Sequence, residues 1–203
     1  MAVNLASSGG TVSFTSVSAN GAANGIVLNT TTGSFTVTGA GTAGSGGTIQ
    51  STTGPGILLS NAAGISLARM IIQNGGDDGI GGTTVTGFTL ANSTVQNNGN
   101  AIGAFNTGDN GLDFTDLLGT ASISSSTITG SFHNNIILRN STGTLSELTV
   151  TGTGTARSGG TIQNTTGPGI LLSNAAGISL ARMIIQNGGD DGIRGTTVTG
   201  FTL

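Results

Sequence analysis

Residues 41–90 and 154–203 are nearly one sequence written twice: they align without gaps at an offset of 113 and agree at 47 of 50 positions. The three differences are Gly44 against Arg157, Ser51 against Asn164 and Gly81 against Arg194. A tandem copy this close constrains the fold before any residue is weighed, because repeated units bury their apolar faces against one another. The chain stops inside the second unit, so it reads as a window from a longer array.

A finer period runs inside the unit. A turn residue followed by an aliphatic strand recurs at Asn24-Gly25-Ile26, Pro55-Gly56-Ile57, Asp78-Gly79-Ile80, Asn100-Ala101-Ile102, Asn134-Asn135-Ile136, Pro168-Gly169-Ile170 and Asp191-Gly192-Ile193. Successive Ile positions are 31, 23, 22, 34, 34 and 23 residues apart. Between them lie period-2 segments such as Ile65-Ser66-Leu67 and Thr127-Ile128-Thr129, the mark of half-buried strands. The longer intervals hold Gly-rich insertions at 39–47, 103–111 and 152–160, read as surface loops. The pattern predicts an all-β chain: one domain over 1–203, a right-handed parallel β-helix of about seven coils with 22–24 residues per basic coil. Stacked at about 4.8 Å, they make a rod roughly 34 Å tall.

Composition narrows the function. Only 6% of the 203 residues are charged, the net charge is -3, and Lys, Cys, Trp and Tyr are absent. No basic footprint for nucleic acid exists. Hydrophobic residues are 35% of the chain, enough for a core rather than a disordered linker. The apolar runs are far shorter than the roughly 20 residues that span a bilayer, and Met1-Ala2-Val3-Asn4 lacks the basic start of an export signal.

The succession Asn-Gly-Ile-x-Leu, Ile-x-Leu-x-x-x-x-Ile, Asn-x-x-x-x-Gly-Ile resembles the right-handed parallel β-helix proteins of the pectate-lyase-like superfamily, above all large repetitive bacterial surface or secreted proteins. The resemblance covers nearly the whole chain and implies an extracellular or cell-surface protein. It is built from patterning, and this fold carries lyases, glycosidases, tail spikes and adhesins alike, so function must come from the site.

Four features compete for that role. Asp77-Asp78 and Asp190-Asp191, each in Gly-Gly-Asp-Asp-Gly-Ile, are paired carboxylates of the kind that do acid–base work on a glycosidic bond. They resemble the Asp-Asp of polygalacturonase-like hydrolases, yet the partnering Asn-Thr-Asp, Gly-His-Gly and Arg-x-Lys segments are missing; a turn stabilised by its own Asp side chains is the plainer reading. Asp109, Asp113 and Asp116 form the densest acidic stretch, a candidate Ca²⁺ site, although alternation with Leu112 and Phe114 points Asp113 to solvent. Residues 39–44 match a dinucleotide-binding glycine pattern without the helix that it needs. Thr-x-Thr segments such as Thr36-Val37-Thr38 offer an ice-binding or sugar-facing ladder, but coil lengths of 22 to 34 argue against a regular array. His133 reads as a corner residue. Arg69 and Arg182 read as strand residues whose stems lie over aliphatic surface.

The expectation is a non-catalytic structural or adhesive solenoid, with no cofactor. Its partners are further copies stacked end to end, and glycans or a cell surface. The alternatives are a polysaccharide lyase or glycoside hydrolase acting through Asp77, Asp78, Asp109 and Asp113, and an ice-binding solenoid.

Overall fold

The computed structural model describes residues 1–101, 108–141 and 146–203. Among them every regular element is a β-strand, all named strand pairs are parallel, and no helix is long and apolar enough to cross a membrane. Such an architecture is compatible with a β-solenoid.

The first ladder runs through Val3–Ala6, Ile26–Thr31, Ile57–Ala68, Ile80–Ala91, Leu112–Ser124, Ile136–Arg139, Ile170–Ala176 and Ile193–Thr199. Its register stacks Val3, Ile26, Ile57, Ile80, Leu112, Ile136, Ile170 and Ile193 in one column. Inner members such as Ile57 and Ile80 are fully buried, each contributing roughly 1.5–3 kcal/mol. The sequence markers for this column hold with one correction. The place between Ile80 and Ile136 belongs to Leu112, whereas the expected Ile102 lies outside the described residues.

The three longest strands continue past a corner into a second run. There Ile57–Ala68 pairs with Ser34–Val37 and Leu112–Ser124 with Ser146–Thr151, and these in turn pair with Thr11–Phe14 and Ser179–Leu180. A separate seven-stranded sheet stacks Ala19–Asn20, Gly47–Gln50, Met70–Gln73, Thr94–Gln96, Ser126–Thr129, Gly160–Thr165 and Met183–Gly188. Ile49, Ile72, Val95, Ile128 and Ile162 point inward from it to close the core. The Gln side chains beside them form an amide ladder, with Gln73 Nε2 donating to Gln50 Oε1 at 2.9 Å and Gln96 Nε2 to Gln73 Oε1 at 2.7 Å.

Corners between strands recur at the same height in each tier and need the left-handed backbone region. Asn61, Thr84, Asp116 and Asn174 share one such corner at φ between 51° and 59° or just below, at 47° for Asn61. Arg69, Asn92, Ser125 and Arg182 share another, at φ 58°, 51°, 49° and 56°. Both arginines therefore sit at corners rather than within strands. Loops replace the tight corner at 39–46 and 152–159, where the Gly-rich insertions were expected.

Apart from one register shift between Leu118 and Ala121, unequal coil lengths do not disturb the sheets, because the loops at 39–46 and 152–159 stand outside the ladder. Ser13, Thr36, Ser66, Thr89, Ser122, Thr149, Ser179 and Thr202 consequently form one continuous hydroxyl column in strict Ser/Thr alternation. The irregular array inferred from spacing is thus corrected: the hydroxyls are in register.

Candidate functional site

Two carboxylates of the enzymatic alternative, Asp78 and Asp113, meet on the outer face of the first ladder. Asp78 lies at the turn before Ile80–Ala91, and Asp113 is the second residue of Leu112–Ser124, one tier further on. Strand alternation does turn Asp113 away from the core, but not to solvent. It is 9% exposed because the guanidinium of Arg139 forms an ion pair with its Oδ1 and Asn110 Nδ2 donates to its Oδ2 at 2.9 Å. Arg139 reaches it because the Thr115–Arg139 pairing sets that guanidinium over the Asp113 tier. Nothing local in the sequence points to Arg139, 26 residues away; only the register does.

Asp78 and Asp113 line an open pocket of about 220 Å³ together with Pro55, Leu58, Thr83, Thr115 and Arg139. Gly81 leaves the room for it, while Gly82 makes room on the core side for the Phe114 ring. A Cβ at Gly81 would already stand 3.4 Å from Asp78 Oδ2. Burial pushes the Asp78 carboxyl from 3.8 up to about 8, helped by the charges of Asp113, Asp77 and Asp109, against the Asn110 N–H that donates to its Oδ1 at 2.7 Å. Burial raises Asp113 as well, opposed by Arg139 and Asn110. Near neutral pH the site thus holds a protonated carboxyl, a carboxyl paired to a guanidinium, and two threonines. That donor and acceptor set can protonate a leaving oxygen or hydrogen-bond a polyhydroxyl ligand.

The second copy does not rebuild this arrangement. Asp190 and Asp191 are exposed, and Arg194, standing where Gly81 does in the first copy, lies 3.1 Å from Asp190 and 3.9 Å from Asp191. Arg194 thus makes a surface ion pair with Asp190 and Asp191, which have no counterparts of Asn110, Asp113 and Arg139 beside them among the described residues.

Of the remaining candidates, Asp77 Oδ1 accepts from the Asp78 N–H at 2.8 Å, a local turn contact. The three proposed calcium ligands go three ways. Asp109 accepts from the Asn100 and Ala101 N–H groups, Asp113 faces Arg139, and Asp116 accepts from the backbone and hydroxyl of Ser141. Among the described residues no three His, Cys, Asp or Glu side chains gather in a metal-holding group. His133 is half-buried with Nδ1 3.3 Å from Asn134 Nδ2. The 39–44 glycine pattern lies in a turn with no helix behind it. Compared with protein-family models, curated proteins and solved structures, the chain matches none of them.

Proposed function

We propose that this chain is a segment of a non-catalytic, extracellular structural or adhesive rod. In this reading it is a right-handed parallel β-helix whose eight registered strands delimit about seven coils. The carrying observation is the register of the duplication: the 113-residue offset takes Ile57 to Ile170 in four tiers of the same column. Repetition of this unit lengthens the stack without changing its cross-section, as a spacer requires. Right-handedness rests on the strong preference of parallel crossover connections for that hand, and the extracellular location on the resemblance to repetitive surface proteins.

At the last tier Leu172, Ile193, Val198 and Phe201 line an apolar recess of about 190 Å³, and Phe201 is 39% exposed. A second copy stacking there continues the core. Light scattering across a concentration series should show rising mass; a strictly monodisperse monomer at high concentration would exclude this stacking.

The second reading is a polysaccharide lyase or glycoside hydrolase, favoured by the raised Asp78 carboxyl beside Asp113. Incubation with polyuronides and neutral glycans, with and without Ca²⁺, separates the two. The rod reading expects no shortened products. Turnover that disappears in an Asp77→Asn/Asp78→Asn chain would overturn it. The hydroxyl column supports ice binding as a lesser reading, for which thermal hysteresis is the measurement.

A further inference from the structure

The two Gly-rich loops do more than lengthen coils, because each projects from the corner shared by Arg69, Asn92, Ser125 and Arg182. Loop 39–46 interrupts that corner below Arg69, and loop 152–159 interrupts it beyond Ser125. Between them lies the largest of the described pockets, about 330 Å³. Its floor is Arg69, Asn92, Thr94, Ser125 and Thr127, and its wall is Gly41 and Ala43 of the first loop. Ser125 Oγ donates to Ser158 O at 2.9 Å, fastening the second loop to the far end of the floor. The duplication itself thus builds a trough with a loop from each copy at its two ends.

Its chemistry differs from that of the acidic pocket. No carboxylate and no aromatic ring lines it. Among the described residues Arg139 and Arg194 are ion-paired, whereas Arg69 has no acidic partner. Arg69 is nonetheless held. Its Nη1 donates to Thr38 O at 2.9 Å, and its stem packs so closely on Gly39 that a Cβ there would meet Arg69 Cβ and Cδ at 2.9 Å. A guanidinium has five donors, so four stay available in a fixed orientation. Arg69 also sits at φ 58°, a backbone region suited to Gly or Asn, which is what Gly39 and Asn92 supply in neighbouring tiers. The same corner conformation recurs at Ser125 and Arg182, and what distinguishes Arg69 is that its unpaired charge lines a pocket beside Asn92, Thr94 and Thr127.

We propose that this trough binds an acidic sugar unit of an anionic glycan. Arg69 takes its carboxylate or sulfate, and Asn92, Thr94 and Thr127 take its ring hydroxyls. The absence of an aromatic platform disfavours neutral sugars and nucleobases, which bind by stacking. The pocket is of a size that small ligands occupy. This inference rests on the adhesive side of the rod reading and gives it a ligand class. The two fail separately, since a chain that binds no glycan still stacks end to end.

The test titrates the whole 203-residue chain with a glucuronate-containing disaccharide, a sulfated disaccharide and a neutral one, by calorimetry and amide chemical-shift mapping. At least one anionic probe should bind at least tenfold more tightly than the neutral probe, more weakly as salt rises, with shifts centred on Asn92, Thr94 and Thr127. Comparison of the two anionic arms tells carboxylate from sulfate recognition. Arg69→Asn should lower anionic affinity at least tenfold while raising Tm, because Asn suits the corner. Arg194→Gln should leave affinity unchanged. Equal binding of the neutral probe, no binding of either anionic probe, shifts centred elsewhere, or full affinity in Arg69→Asn would each overturn the proposal.

Discussion

Ile136→Asp should abolish cooperative folding. Ile136 is 1% exposed in the middle of the aliphatic column, with Leu112 on one side and Ile170 on the other. Removing the side chain alone costs about 2–5 kcal/mol, and an unpaired carboxylate in its place adds several more. That sum rivals the roughly 5–15 kcal/mol of a whole domain. Far-UV circular dichroism on heating should show no sharp transition, or the chain should be recovered only as aggregate. Thr89→Asp provides the contrast, because Thr89 lies on the outward hydroxyl column and should shift stability by only about 0.5 kcal/mol. Wild-type melting of Ile136→Asp would mean that the column is misplaced.

That column was largely legible in the sequence, because a turn residue followed by an aliphatic run has only one way to point its side chains inward. The error at Ile102 is instructive. Asn100-Ala101-Ile102 and Asn110-Gly111-Leu112 carry the same kind of marker, and spacing alone favoured the first. Stacking distinguishes them. A Cβ at Gly79 would lie 2.6 Å from Gly111 O, and one at Gly111 would lie 2.6 Å from Asn135 O, so these two tiers are packed around glycine, although Ala2 and Asn135 fill the same place before Val3 and Ile136. Glycine before the aliphatic residue, present in six of the eight column members, was the stronger signal. The candidate site was legible only as a list of carboxylates. Asp77, Asp78 and Asp113 were visible, but pairing depends on which residues lie one tier apart. Local spacing therefore grouped Asp113 with Asp109 and Asp116 and left out Arg139. The trough was illegible for the same reason: its loops are 113 residues apart and meet only through four tiers of register.

Stability should fall as pH rises through the neutral range, and Asp78 should be the main cause. Its carboxyl is near 3.8 in the unfolded chain and about 8 in the folded one, so between those values the folded protein holds a proton that the unfolded chain has released. The unfolded state then binds fewer protons, and the free energy of unfolding decreases with pH across about 4 to 8, by up to about 1.4 kcal/mol per unit for one proton. Below the unfolded value the stabilisation is fully present; above the folded value it is gone. Asp113, raised by burial, acts in the same sense, while Arg139 opposes it. Asp78→Asn keeps an oxygen for the Asn110 N–H and removes the titration. It should flatten most of the slope between pH 5 and 8 and raise Tm at pH 8–9, an effect on the order of a few kcal/mol. The duplication supplies the control: Asp191 is the same residue of the second copy, with its side chain 53% exposed beside Arg194, and Asp191→Asn should leave the slope as it was. A slope unchanged in Asp78→Asn, or flattened equally in Asp191→Asn, would show that the buried pair is not its source.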